Sequence, residues 1–244
     1  MLAAGVAAGT INTLVGSGSL ITFPVLLAVG YPPLTANVSN NLGVVPGSIS
    51  GAIGLRRELR GQRARLVRFV PASLLGGASG AVLLLALPAS AFDAIVPAFV
   101  ALAIVLVVLQ PRINRRLAER RRAGADEHGG APALLATGAA GVYGGYFGAA
   151  QGVLLLAILG IAIDDDLHRV NAVKVVLAGV ANGVAAVVFV IAADLAWEAV
   201  ALIAAGSALG GQLGAHAGRR LPPGALRAVI VVVGLAAIAK LLLD

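Results

Sequence analysis

Apolar segments fill most of this chain and leave only short stretches of polar sequence between them. They cover residues 1–30, 36–55, 69–87, 92–110, 134–163, 171–192, 197–218 and 225–243. Six of them are about 20 residues long, the length that a helix needs to cross a hydrocarbon core of about 30 Å. Because 59% of the residues are hydrophobic and only 12% are charged, a water-soluble globule could not bury this apolar surface. The sequence therefore predicts an all-α polytopic membrane protein in a lipid bilayer and excludes a soluble enzyme.

The charged residues are mostly basic and lie in clusters. Lys and Arg number 18 against 11 Asp and Glu, which gives a formal net charge of +7. In a soluble protein this excess would suggest nucleic-acid binding, but here the clusters lie between apolar segments, as in cytoplasmic loops of membrane proteins. We therefore expect no nucleic-acid partner. The absence of cysteine excludes disulfides and thiolate metal sites, and the sequence predicts neither a cofactor nor a bound metal.

The two halves of the chain are repeats of one another. A shift of 134 residues aligns the glycine pattern of 76–81 with that of 210–215, and the Leu-Pro pair of 87–88 with that of 221–222. Internal repeats of this kind are common in secondary transporters, where the substrate site lies between the halves. The predicted domains are a first repeat, a basic cytoplasmic linker and a second repeat, at residues 1–111, 112–133 and 134–244.

Two topologies fit the apolar segments. Eight full crossings would distribute the arginines over both faces of the membrane. If segments 1–30 and 134–163 are instead re-entrant hairpins, each half crosses three times, the halves are inverted, and all arginines lie on one face. Because cytoplasmic loops carry the excess of Arg and Lys, we favour two inverted repeats, each a re-entrant or broken helical hairpin plus three transmembrane helices. The Arg-rich loops are then cytoplasmic and both termini lie outside.

Five stretches of the chain resemble a known family. They are AGTINTLVGSGSLITFPVLLAVG (8–30), NVSNNLGVVPGSISGAIGLRREL (37–59), GVYGGYFGAAQGVLLLAILG (141–160), NAVK (171–174) and GQLGAHAGRRL (211–221). Together they resemble the TauE/SafE sulfite-exporter family of membrane permeases, also called the toluene sulfonate uptake permease group. The resemblance implies a secondary transporter, with export as the expected direction, in the bacterial cytoplasmic (inner) membrane. The implied substrates are small sulfur-containing anions such as sulfite, sulfonates or sulfoacetate.

The Gly-rich breaks of the two long apolar segments supply the first candidate substrate-binding residues. A helix that begins inside the membrane presents N–H groups and the positive end of its dipole, which attract anions. The alternative is a sharp turn whose glycines serve packing alone. Ser17, Ser19 and Gln151 depart from the family's usual small residues and add hydroxyl and amide groups. The candidates at the breaks are Gly16, Ser17, Gly18, Ser19, Gly148, Gln151 and Gly152.

Polar residues at the start of the following helices supply the remaining candidates. Asn37 and Asn171 correspond at the shift of 134, and so do Asn40 and Lys174, while Asn41 follows directly in the first half. Amides in an apolar segment need partners, so the asparagines either bind substrate or tie the hairpin backbone to the helix. Lys174 either faces the substrate inside the bundle or extends to the cytoplasmic surface.

Other classes of function remain as alternatives to a transporter. An anion channel could share the re-entrant architecture. Its anion flux would not saturate with concentration, whereas the flux through a transporter would. A membrane-embedded enzyme is not predicted, because no set of His, Asp and Glu clusters at one depth. The sequence leaves the oligomeric state open between a monomer and a homodimer.

Overall fold

The computed structural model describes residues 1–120, 130–217 and 223–243, and this part of the chain is helical without strands. The helices correspond between the two halves in number and order, so that α1 to α5 match α6 to α10. Their bounds are α1 (Leu2–Leu14), α2 (Ser19–Val29), α3 (Pro33–Gly54), α4 (Arg63–Ala86), α5 (Ala89–Arg120), α6 (Ala131–Tyr146), α7 (Gln151–Ala162), α8 (Leu167–Ala192), α9 (Trp197–Ala217) and α10 (Pro223–Leu243).

Four of the described helices are long and apolar enough to cross a membrane. They span Arg63–Ala86, Ala89–Ile113, Leu167–Ala192 and Trp197–His216. The apolar segments predicted at 36–55 and 225–243 form α3 and α10. Helix α3, with 22 residues, is also long enough to cross a membrane, but its asparagines and serines make it less apolar. Most of these polar residues are buried against other helices. The polytopic helical class predicted from the sequence is confirmed.

Each of the two long apolar segments is divided into two short helices. Helices α1, α2, α6 and α7 have 13, 11, 16 and 12 residues. At 1.5 Å per residue these lengths are roughly 17–24 Å, less than a hydrocarbon core of about 30 Å. The break follows from glycine at the end of the first helix, where Gly16 and Gly148 adopt φ values of 88° and 77°. A left-handed residue at this position ends a helix and redirects the chain.

Helices α1 and α6 each lie along a long helix of the opposite half of the chain. In α1, Gly5 packs against Ile203 and Gly9 packs against Ser207, so α1 and α9 run in the same direction. Helix α6 lies on α4 in the same way, because Gly76 packs against Gly138 and Gly80 packs against Val142. Small residues allow the two backbones to approach closely, as in other membrane helix pairs.

Serine hydrogen bonds repeat at the same offset as the sequence. Ser73 Oγ donates to the Leu177 carbonyl oxygen at 2.7 Å, and Ser207 Oγ donates to the Gly43 carbonyl oxygen at 2.7 Å. The two donors, Ser73 and Ser207, are 134 residues apart in the sequence, and so are the two acceptors, Gly43 and Leu177. The repeat detected in the sequence therefore has a counterpart in the packing of α4 on α8 and of α9 on α3.

Helices α3 and α8, which correspond between the halves, pack against each other in opposite directions. Asn41 Nδ2 of α3 lies 3.4 Å from Asn182 Oδ1 of α8. Further along α3, Ser48 contacts Gly179, and Leu55 packs with Ala172 in one apolar cluster. Residue numbers rise along one helix as they fall along the other.

The two ends of the bundle differ in charge. The connection between α3 and α4 carries Arg56, Arg57 and Arg60, and it lies beside the start of α8 because Gln62 Nε2 donates to the Arg169 carbonyl oxygen at 2.9 Å. We call this the Arg-rich end. The opposite end is formed by the connections between α2 and α3, α4 and α5, and α8 and α9.

Candidate functional site

The turns of the two broken segments touch each other inside the bundle. The Gly152 N–H, in the first turn of α7, donates to the Gly16 carbonyl oxygen at 3.1 Å. The approach is so close that a methyl group on Gly16 would lie 2.5 Å from the Gly152 Cα atom. Glycine is needed at both positions because no side chain fits between these backbones. The structure thus brings Gly16 and Gly152, predicted as site residues from different halves, into direct contact.

The first turn presents a buried hydroxyl group without a partner. Ser17 is 1% exposed, and its Oγ atom has no hydrogen-bond partner. Gly18 packs against the Ala8 carbonyl group of α1, so the chain folds back along α1 before α2 begins at the buried Ser19. Gly18 therefore serves packing, whereas Ser17 retains a free hydrogen-bonding group.

The second turn presents a buried amide group without a partner. Gln151 is 1% exposed, and neither its Oε1 nor its Nε2 atom has a hydrogen-bond partner. Its side chain lies against Gly144, while Gly148 lies near Asn182 Oδ1. A buried amide without partners costs about 1–3 kcal/mol, so a ligand that binds to it would recover this free energy.

Asn37 and Asn171 each hold the broken helix of the other half. Asn37 Nδ2 donates to the Tyr146 carbonyl oxygen at the end of α6, at 2.9 Å. Asn171 Nδ2 donates to the Thr13 carbonyl oxygen at the end of α1, at 3.1 Å. Both bonds satisfy carbonyl groups that a helix end leaves without intrahelical partners. In each asparagine Oδ1 is buried without a partner, so one face of the amide remains available to a ligand.

Lys174 and Asn40 occupy corresponding positions but have different environments. Lys174 is fully buried, with 0% exposure, and its Nζ donates to the Asn12 carbonyl oxygen at 3.1 Å. The side chain therefore does not extend to the surface, which was the alternative left open by the sequence. Asn40 Oδ1 accepts a hydrogen bond from Thr22 Oγ1 of α2. Asn40 thus connects α2 to α3. Lys174, at the corresponding position of the second half, places its amine beside the end of α1.

A row of polar side chains runs between α3 and α8, and the sequence analysis missed part of it. Asn12 Nδ2 lies 3.3 Å from Ser48 Oγ, and Asn41 contacts Asn182. Asn12 and Ser48 were missed because nothing in the sequence distinguishes them from the other polar residues of α1 and α3, and Asn182 was missed because it is isolated in an apolar segment. The signal that could have found Asn182 is that it is the only amide in the second half of α8. From the Arg-rich end inward, this polar row consists of Asn171, Lys174, Asn12, Ser48, Asn182 and Asn41.

A cavity of about 290 Å³ opens at the Arg-rich end and reaches the start of this row. Thr13 and Asn171 line it on the inside, while Glu58 and the solvent-exposed His168 line it towards the surface. We call it the inner cavity. Lys174 lies one helical turn beyond Asn171 on α8.

Aromatic side chains pack around Tyr146 and Phe147, where α6 ends and the second turn begins. The Phe99 ring stacks on Phe147, with centroids 5.7 Å apart, and packs edge-on against Tyr146. Phe92 and Phe23 contact the same Phe147 ring. We call Phe23, Phe92, Phe99, Tyr146 and Phe147 the aromatic cluster. The site is therefore approached by a cavity from the Arg-rich end and covered by apolar rings on the other side.

Charged side chains connect the two halves at the Arg-rich end. Asp165, between α7 and α8, forms ion pairs with Arg65 of α4 and with Arg169, the latter at 3.0 Å. Burial alone raises the pKa of Asp165, but hydrogen bonds from both arginines outweigh it and hold the pKa below its usual range. Among the described residues, no group of three or more His, Cys, Asp or Glu is arranged to hold a metal ion.

Comparison with known proteins identifies the family. A family model described as "Sulfite exporter TauE/SafE" matches residues 1–241. The chain belongs to the TauE/SafE family. The resemblance stated from the sequence motifs is thereby confirmed. No solved structure shows significant similarity to this TauE/SafE chain.

Curated relatives in this family carry the names of membrane transporters. "Probable membrane transporter protein YfcA" of Escherichia coli (strain K12) is 28% identical over 238 residues, covering 97% of this chain and 86% of the relative. A "Probable membrane transporter protein" of Haemophilus influenzae is 27% identical over 242 residues, covering 98% and 92%. The family and these relatives together indicate a membrane transporter of the TauE/SafE type.

Proposed function

We propose that this protein is a secondary transporter that exports small sulfur-containing anions such as sulfite, sulfonates or sulfoacetate. The observation that carries the proposal is the position of Lys174, a fully buried amine-bearing residue that can carry a positive charge and lies one helical turn from Asn171 in the wall of the inner cavity. An anion that leaves water needs compensating charge or several strong hydrogen-bond donors. The description of the family as sulfite exporters supports the substrate class.

Neutral donors complete the proposed binding site. The oxygen atoms of a sulfite or sulfonate group accept hydrogen bonds, and Ser17 Oγ and Gln151 Nε2 are buried donors without partners. The N–H groups in the first turns of α2 and α7 add a positive dipole end at the contact between the turns. In this proposal Lys174 supplies the net charge, and the remaining groups orient the anion.

The proposed topology is a pair of inverted repeats, each with a re-entrant hairpin and three transmembrane helices. The opposite directions of α3 and α8 support it, as do the two serine bonds offset by 134 residues. The proposed orientation places the Arg-rich end in the cytoplasm of the bacterium, because cytoplasmic loops are enriched in Arg and Lys. The acidic residues Asp93, Asp194 and Glu198 then lie towards the outer face.

The difference between the two sides of the site supports alternating access. The inner cavity reaches Asn171 from the Arg-rich end, while the aromatic cluster covers the opposite side of the second turn. With the proposed orientation this is a state open to the cytoplasm, from which an exporter would load its substrate. Rocking of one repeat against the other would then open the outer side. An anion channel would instead need one continuous open path.

Ligand-dependent thermal unfolding of the purified protein tests the proposal. Sulfite, sulfate, thiosulfate, sulfoacetate and taurine form the panel, since a ligand at 100 times its Kd stabilises the folded state by about 2.7 kcal/mol. We expect stabilisation by at least one sulfur-containing anion, strongly reduced in Lys174→Met and retained in Lys240→Met. Lys240 is the only other lysine of the chain and lies near the opposite end, so it provides a matched control. Equal shifts in the two variants would contradict the proposed site.

A further inference from the structure

Lys174 has too few partners to remain a permanent, isolated cation. Among the side chains whose burial the structure describes, it is the only charged one in the buried class. An ammonium group has three donors, and here one of them is used, on the Asn12 carbonyl oxygen. A buried charge normally needs an oppositely charged partner together with further hydrogen bonds.

No acidic side chain on the surrounding helices is placed to neutralise this amine. Helix α8 packs against α1, α3, α4, α6 and α7, and of these α1, α3 and α7 contain no Asp, Glu, His, Lys or Arg. The titratable groups of α4 and α6 are Arg63, Arg65, Arg68, Tyr143 and Tyr146. Those near the start of α8 are Glu58, Asp164, Asp165, Asp166, His168 and Arg169, of which Asp164, Asp166 and His168 are exposed. The described ion pairs of Asp165 are with Arg65 and Arg169, and Glu58 lies at the wall of the inner cavity.

We propose that Lys174 is the residue that carries a coupling proton, being neutral in the empty site and protonated when the anion is bound. This inference rests on the proposed function, because the negative partner of the ammonium group is the transported anion. A proton joins the amine lone pair as the anion binds, and it leaves as the anion leaves. One proton therefore moves with each anion in the same direction, and no other reactant is needed.

The inner cavity gives the proton a route to the amine. Asn171 lines the cavity and lies one helical turn from Lys174 on the same helix. Thr13 lines it as well, next to Asn12, whose carbonyl oxygen accepts the Lys174 bond. The cavity wall thus includes a residue one helical turn from Lys174 and a neighbour of the residue to which its amine is bonded. Protonation at this place needs no buried carboxylate, which proton-driven transporters commonly use.

Transport of a strong-acid anion into proteoliposomes tests the inference. Methanesulfonate is suitable, because its only acid group is a sulfonate, which binds no proton near neutral pH, so any proton movement must come from the protein. A pH-sensitive dye in the lumen reports protons, and labelled methanesulfonate reports flux. For the unmodified protein we expect the lumen to acidify by about one proton per anion. Lys174→Arg, whose guanidinium stays charged, should bind or move the anion without acidification, and Lys240→Arg should behave as the unmodified protein.

Two outcomes would overturn the inference while leaving anion transport intact. These are methanesulfonate uptake without acidification in the unmodified protein, and equal acidification in Lys174→Arg. Absence of any anion uptake or binding would overturn the proposed function itself, and with it the inference. If Lys174→Arg does not fold, calorimetry of the unmodified protein in buffers of different ionisation enthalpy still counts the protons taken up on binding. About one proton supports the inference, and none contradicts it.

Discussion

Gly16 and Gly152 lie backbone against backbone, joined by a hydrogen bond of 3.1 Å between the broken helices of the two halves. Each residue belongs to a turn that interrupts an apolar segment, and the two turns come from different halves of the chain. Because this contact has no room for a side chain, it fixes the separation of the two turns. The buried groups of Ser17 and Gln151 lie next to it in sequence, so the contact also determines how far apart these groups are.

Replacing Gly152 with alanine should disrupt this contact. The added methyl group would meet the Gly16 Cα atom, and neither backbone can move without shifting a turn. We expect a loss of about 1–3 kcal/mol in the free energy of unfolding, the usual result of overpacking. Thermal unfolding in detergent measures it. Gly183→Ala is the matched control, because a methyl group there would meet no atom within 4 Å. Equal stability of the two variants would show that the turns do not pack as described.

The ion pairs of Asp165 should stabilise the protein at neutral pH and not at low pH. Their pairing with Arg65 and Arg169 lowers the pKa of the carboxyl group in the folded protein. A lowered pKa contributes stability above the ordinary value, and that contribution is lost as the pH falls through the folded-state value. Asp165→Asn should therefore be less stable by about 0.5–1 kcal/mol near pH 7, the range of a partly exposed pair. The difference should shrink as the pH falls below the ordinary range of a carboxyl group, and it should vanish once the carboxyl group is protonated in the folded protein.

The control for this measurement is the neighbouring acidic residue. Asp164 is exposed, and Asp164→Asn should leave the unfolding temperature unchanged at both pH values. A pH-independent loss of stability in Asp165→Asn would mean that packing, and not the charge of the carboxylate, is responsible.

The proposed orientation predicts which residues are accessible from outside the cell. The chain has no cysteine, so single cysteines can be introduced without a background of native thiols. Arg57 and Asp194 are exposed at the Arg-rich end and at the opposite end, respectively. A membrane-impermeant maleimide added to intact cells should label Asp194→Cys and should label Arg57→Cys only after the cells are opened. The reverse pattern would place the Arg-rich end outside.

The amino-acid sequence contains enough to predict the two breaks, but not the partners of the polar residues. Left-handed glycine ends a helix by local geometry, which is why the turns at Gly16 and Gly148 were predictable. The bond of Lys174 to the Asn12 carbonyl oxygen joins residues 162 positions apart and depends on how α1 and α8 pack. Asn182 was missed for the same reason, since a lone amide does not reveal which face of its helix is buried.

Lys174→Met should weaken anion binding by about 1.5–3 kcal/mol, the free energy of a hydrogen bond to a charged group. This corresponds to roughly a 10- to 150-fold higher Kd. Titration calorimetry with the best ligand of the panel measures it. Lys174→Arg should retain part of the affinity, because it keeps the charge. Unchanged affinity in Lys174→Met would show that the amine only holds the end of α1, through its bond to Asn12.

The central claim is that this protein moves a small sulfur-containing anion by binding it at a site reached from one side at a time. Counterflow in proteoliposomes tests it most directly, with unlabelled anion inside and labelled anion outside. We predict saturable uptake with transient accumulation of label above equilibrium, present in Lys240→Met and abolished in Lys174→Met. Flux that rises linearly with concentration, without transient accumulation, would identify a channel and contradict the claim, and so would the absence of flux for every sulfur-containing anion.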